Sequence, residues 1–174
     1  MNRSQLSLLK SFWALCFGVF ALVAGALVAG GAAVAQDAAP EPLSAFPQSL
    51  LSIRTTAGKV INFKIWQADN PRREEQGLMF VRDMDEHAGM LFVFPGNRRP
   101  SMWMKNTYIP LDLLFISDRG SIDYIASNAT PLSLDVIQSP KAALAVLELK
   151  GGACGRLGIK LGDTVAHSTL PSVR

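Results

Sequence analysis

Residues 74–115 read EEQGLMFVRDMDEHAGMLFVFPGNRRPSMWMKNTYIPLDLLF. Apolar and aromatic side chains crowd this stretch, with only a few polar ones set among them: Arg82, Lys105, Asn106, Thr107 and Asp112. Such density cannot stay exposed to water, so it must become the core of a folded domain. The polar residues caught inside it must either be hydrogen-bonded or serve a ligand.

The flanking sequence sets the kind of core. Leu51, Ile53 and Thr55 alternate with Ser52, Arg54 and Thr56, and after Ala57-Gly58 the residues Ile61, Phe63 and Ile65 alternate with Asn62 and Lys64. A period of two on both sides of a turn predicts a β-hairpin with one face inward. Asn70-Pro71 predicts a helix start, with a side-chain cap and proline at the first helical position, and RREEQGLM a short helix ending near Phe80. Strands are predicted at 90–94, stopped by Pro95-Gly96, and at 101–106, 111–117 and 121–126. A long loop is expected over 127–141, followed by a strand at 143–149. One helical turn over 151–157 is capped by Gly158. The turn Leu161-Gly162-Asp163 leads into a last strand at 164–167. The expected class is mainly β (α+β): a small curled or barrel-like mixed sheet with two short helices.

The N-terminus carries a different message. Arg3 and Lys10 precede an uncharged segment, 11–36, that begins FWALCFGVFALV and ends in Gly and Ala. Ala33-Val34-Ala35 supplies the small residues of a signal-peptidase site, predicting a signal peptide over 1–35. Retained instead, residues 12–35 are long enough for a membrane anchor. Either way the remainder is expected outside the cytoplasm, periplasmic or secreted. Residues 36–48, with Pro40, Pro42 and Pro47, read as a linker, and 49–170 as a single domain.

Without the signal the chain keeps 15 of its 17 basic residues against 14 acidic ones, a net charge of +1 in place of +3. That leaves no basic surface of the kind that binds nucleic acid. Membrane contact is expected only through the N-terminal segment. The other partners expected are a small ligand or an envelope protein, with the domain a monomer. Cys154 is the single cysteine beyond residue 35, so no internal disulfide can form, and its setting in GGACGRLG suits a buried small side chain.

GLMFVR, AGMLFVFPG, SMWMKNTYIPLDLLFI, NATPLSLD and LELKGGACGRLGIKLGD occur in this order. Together they resemble domain of unknown function family 192, a prokaryotic group often preceded by signal peptides. The resemblance spans 61–165 and implies a compact β-rich domain with no established substrate. At Met102 the family pattern usually has another apolar or aromatic residue.

Three functional readings compete. In the first, Arg82, Lys105, Asn106, Thr107 and Asp112 line a polar pocket for a small anion or sugar-like ligand, the chain being a non-catalytic binding or accessory module. Their alternative is a buried network in which Asp112 is held by Lys105, by Arg82 or by backbone hydrogens at a strand end. On a strand 101–106, Met102, Met104 and Asn106 share one face and Trp103 and Lys105 the other. In the second reading Asp112 works with Glu148 or Asp135 as a two-carboxylate hydrolase. No nucleophile elbow, HExxH motif or histidine pair at ligand spacing supports an enzyme, and no cofactor is implied. In the third, Met79, Met84, Met90, Met102 and Met104 offer thioethers to Cu(I), with His87 nearby. Core packing is the simpler use of those methionines.

Overall fold

The computed structural model describes residues 39–171. The expected signal peptide, 1–35, lies outside the described residues. Two extended segments, β1 (Gln48–Arg54) and β2 (Val60–Ala68), form the expected hairpin, with Leu51 opposite Phe63 and Ile53 opposite Ile61. Their inward residues Leu51, Ile53, Ile61, Phe63 and Ile65 are buried and the residues between them exposed or half-buried, as alternation requires. Helix α1 (Pro71–Gln76) follows, its first turn capped by the Asn70 side chain, which accepts from the Arg73 N–H at 3.1 Å. It stops at Gly77 rather than near Phe80, because Gly77 takes φ +49°, a conformation that ends a helix.

The crossover through α1 places β3 (Ala88–Arg98) parallel to β2. Strand β8 (Ala143–Lys150) lies antiparallel to β3, then β5 (Leu111–Ile116) beside β8, and β6 (Ile122–Ala129) beyond β5. Helix α2 (Ala153–Leu157) leads to β9 (Thr164–Ala166), which pairs with β1. The sheet order is therefore β6-β5-β8-β3-β2-β1-β9. Its two edges meet at one end, where Ser121 bridges Thr164, the Ile122 N–H donates to Asp163 O and the Val165 N–H to Gly120 O. The result is a mainly β, curled half-barrel with two short helices, the class expected.

The inner face gathers Ile53, Phe63, Leu91, Leu114, Ile122, Leu147 and Val165, drawn from all seven strands of the sheet. The outer face of the central strands carries a second core of Met90, Phe92, Leu113, Phe115 and Val146. Phe46, Leu78, Met84, Met104 and Ile109, all from connecting segments, cover it. Strand β5 is thus buried on both faces, and all six of its residues are buried. That is why LDLLF shows no alternation. In β3, Gly89 lets β8 come close: a Cβ there would stand 2.7 Å from the Glu148 carbonyl oxygen.

Several boundaries differ from expectation. β3 runs through Pro95-Gly96 to Arg98, with an irregular register after Val93. The strand expected over 101–106 is only β4 (Ser101–Met102), paired with β7 (Ile137–Gln138) inside the expected long loop. The backbone beyond Met102 turns instead, closing Thr107 N–H onto Met104 O at 3.0 Å, because the segment must cap the outer core. The shared-face assignments for Met104 and Asn106 therefore fall. Part of the proline-rich linker is docked: Leu43–Ala45 form a 3-10 turn and Phe46 is buried beneath the Arg73 guanidinium, 5.1 Å from its ring centre. Arg73 also binds Glu41 at 2.6 Å and Asp69 at 2.8 Å.

Candidate functional site

Asp112 points to the inner face with Leu114 and Ile116 and is fully buried. No cation reaches it among the described residues. Its Oδ1 accepts the N–H groups of Asn128 at 2.8 Å and Gly152 at 2.9 Å, and its Oδ2 accepts that of Cys154 at 2.9 Å. Of the arrangements open to the sequence, backbone hydrogens at a strand end is the one realised. Asp112 ties the end of β6 and the entry to α2 onto β5, so its role is structural. Cys154 is buried beside it; burial first, and then the Asp112 charge, push the thiol well above its ordinary range. A thiol so protonated is inert.

The proposed polar pocket does not assemble around Asp112. Arg82, Lys105, Asn106 and Thr107 belong to the segments that cover the outer face. Thr107 is buried, its hydroxyl donating to Lys105 O at 3.3 Å. Asn106 sits in the left-handed region at φ +56°, accepts the Phe80 N–H on its carbonyl and points its amide at Met79 Sδ, 3.9 Å away. The Arg82 guanidinium lies over the Tyr108 ring at 4.8 Å, and Lys105 Nζ over Trp103 at 4.9 Å.

These four residues frame something the sequence reading missed. Phe80, Trp103, Tyr108, Leu132, Leu134 and Val136 are between 39% and 68% exposed, and they are six of the nine large exposed hydrophobic residues among those described. Backbone hydrogen bonds hold their three segments together: Phe80 N–H to Asn106 O, Leu132 N–H to Thr107 O and Met104 N–H to Ser133 O. Phe80 and Tyr108 meet edge to face. Phe80, Asn106 and Leu132 all adopt positive φ without being glycine, and they are three of only four such residues among those described. Strain of this kind gathers where a surface is held in a set shape. The signal available in the sequence was the spacing of Leu132, Leu134 and Val136 in an otherwise polar loop.

The second carboxylate of interest is Glu148, 4% exposed. It pairs across the sheet with Met90 and Leu113, its Oε2 lies near Gly77, and that oxygen has no hydrogen-bond partner among the described residues. Burial alone pushes its carboxyl up to about 8. Glu148 is on the outer face and Asp112 on the inner one, so the sheet separates them. Asp135 is exposed in the loop, bound to Ser133. Neither forms a catalytic pair with Asp112. Three of the five clustered methionines, Met84, Met90 and Met104, fill the outer core, and His87 lies apart, packed on Phe63.

A family model for DUF192, described as an uncharacterized ACR, matches residues 52–167. The chain belongs to the DUF192 family. Two solved structures share the fold of this DUF192 domain. A protein of Sinorhizobium meliloti 1021, described as a candidate transcription regulator, is 40% identical with a TM-score of 0.68, over 70% of this chain and 94% of its own. A protein of unknown function from Novosphingobium aromaticivorans DSM 12444 is 33% identical with a TM-score of 0.69, over 74% of this chain and 91% of its own. No curated protein matches.

Proposed function

We propose that this DUF192 protein is an exported, non-catalytic binding module of the cell envelope, and that the aromatic corner of residues 80–82, 103–108 and 132–136 is its binding face. The concentration of exposed apolar side chains in that corner carries the reading. A lone exposed leucine is ordinary, whereas six exposed apolar side chains on segments hydrogen-bonded to one another, with cations on two of their aromatic rings, suit a recognition surface. Trp, Tyr and Arg are the side chains that dominate binding energy at such surfaces. The separation of Asp112 from Glu148 removes the sequence support for a two-carboxylate hydrolase. Export rests on residues 1–35 alone. The regulator description of the Sinorhizobium relative is not carried to this chain: among the described residues the two helices have six and five residues, too short for a recognition helix of the helix-turn-helix kind.

Amide NMR spectra of residues 38–174, titrated with a total envelope extract, test the reading. Shifts should cluster at Phe80, Trp103, Tyr108 and 132–136. An unchanged spectrum, or shifts centred on another face, would remove the corner as a binding surface.

A further inference from the structure

The composition of the corner narrows its occupant. Sugars stack on aromatic rings and gain little from aliphatic side chains, yet half of this surface is Leu132, Leu134 and Val136. Leucine and valine beside tryptophan, tyrosine and phenylalanine are what a protein presents to the boundary between lipid headgroups and acyl chains. The aromatic rings suit that depth because each joins an apolar body to a polar or quadrupolar edge.

Charge adds a second constraint. Arg82 and Lys105 lie on the patch. Arg98 and Arg99 sit at its margin, where the Gln138 side chain donates to Arg99 O and β4 pairs with β7 next to Val136. None of these four takes part in an ion pair among the described residues. The acidic residues carried by the 132–136 loop and next to Arg82 are Asp135 and Asp83. Asp83 is paired with Lys150 at 3.0 Å. Basic groups thus outnumber free acidic ones around an apolar centre, which complements an anionic surface. Long Arg and Lys stems lying along rings can extend their heads to phosphates while their methylenes stay in the apolar layer.

We propose that the corner docks onto the surface of an anionic phospholipid bilayer, with Trp103, Tyr108, Leu134 and Val136 entering the interface and Arg82 and Lys105 meeting lipid phosphates. This rests on the reading of the corner as a binding face. It adds a contact with the membrane beyond any made by the N-terminal segment.

The test must exclude the apolar segment 12–35, which would bind lipid by itself. Residues 38–174 form a compact unit holding both cores. The solved relatives are matched over 94% and 91% of their own length by 70% and 74% of this chain, so they consist of little more than this domain. Residues 38–174 therefore fold alone and serve as the probe protein.

Flotation with phosphatidylcholine vesicles, with and without phosphatidylglycerol, should show binding that requires the anionic lipid and weakens with salt. In a Trp66→Phe variant, which leaves Trp103 as the single tryptophan of residues 38–174, emission should shift to the blue on binding. Leu134→Ser with Val136→Ser should lower vesicle affinity by about tenfold or more. Arg82→Gln with Lys105→Gln should abolish the preference for anionic lipid. Leu134, Val136 and Arg82 are exposed and Lys105 is half-buried, and unchanged melting curves confirm the folding of both double variants. No flotation with either vesicle, or flotation unaffected by both double variants, overturns the proposal. If vesicles fail while the lipid-free part of the envelope extract still shifts the corner amides, the lipid is wrong and the binding face stands. If neither acts, both fall.

Discussion

Glu148 lets stability be written as a function of pH. Its carboxyl is buried among Met90, Leu113 and Phe92 and is raised by desolvation from an ordinary 4.5 to about 8. In the unfolded chain it loses its proton near 4.5, whereas in the folded protein it keeps it to about 8. Between those values the folded state binds more protons, so stability must fall as pH rises. The contribution is fully present below 4.5 and fully lost above 8. Each pH unit across the window costs about 1.4 kcal/mol, so the whole window costs about 5 kcal/mol. Against a total stability of about 5–15 kcal/mol that is a large share. Glu148→Gln removes the titration and keeps the shape. Urea unfolding of 38–174 and its Glu148→Gln variant from pH 4 to 9 should give curves that converge at the acid end. They should diverge with the variant ahead by about 1.4 kcal/mol per pH unit up to pH 8. Glu148→Leu should be more stable than wild type throughout the upper half of that range. Parallel wild-type and Glu148→Gln curves would mean that the carboxyl finds a partner or water, and the argument from burial would fail.

Asp112→Ala takes the acceptor from three backbone N–H groups, of which that of Cys154 is fully buried and those of Asn128 and Gly152 partly so; at about 1–3 kcal/mol for a buried group and less for the others, thermal unfolding should show a marked loss of stability. Asp112→Asn should be milder, since its oxygen can keep the Asn128 and Gly152 N–H groups while only that of Cys154 is lost. Asp118→Ala, on the exposed turn, should stay within about 0.5 kcal/mol of wild type. Gly89→Ala forces a Cβ to 2.7 Å from a strand carbonyl and should prevent or badly weaken folding, visible as lost near-ultraviolet dichroism. Cu(I) titrated into 38–174 should find no tight stoichiometric site, because Met84, Met90 and Met104 are engaged in packing; one equivalent bound and lost in Met102→Leu with Met104→Leu would reverse that. Expressed in full, the chain should yield a product beginning at Gln36 outside the cytoplasm; recovery from the cytosol, with Met1 retained, would reject export.

The sequence alone determined what depends on neighbours along the chain. Alternation fixed the β1–β2 hairpin, Asn70-Pro71 the start of α1, Gly158 the end of α2 and Gly162-Asp163 the turn into β9, because caps and turns act within a few residues. The order of linked motifs was enough for the family. The candidate site was legible only in part. Arg82, Lys105, Asn106 and Thr107 were found by their polarity, but their grouping with Asp112 was not real. Only the tertiary structure decides which side of a sheet a strand residue faces when both sides are buried. β5 and β8 are covered twice, so their sequences carry no period from which to place Asp112 inside and Glu148 outside. The exposed corner is equally a tertiary product. Phe80, Trp103 and Val136 are far apart in sequence, and hydrophobicity by itself reads all three as core. The packing of Leu78, Met84 and Met104 onto the outer face fills the available space beneath those segments and leaves the other three side chains in water.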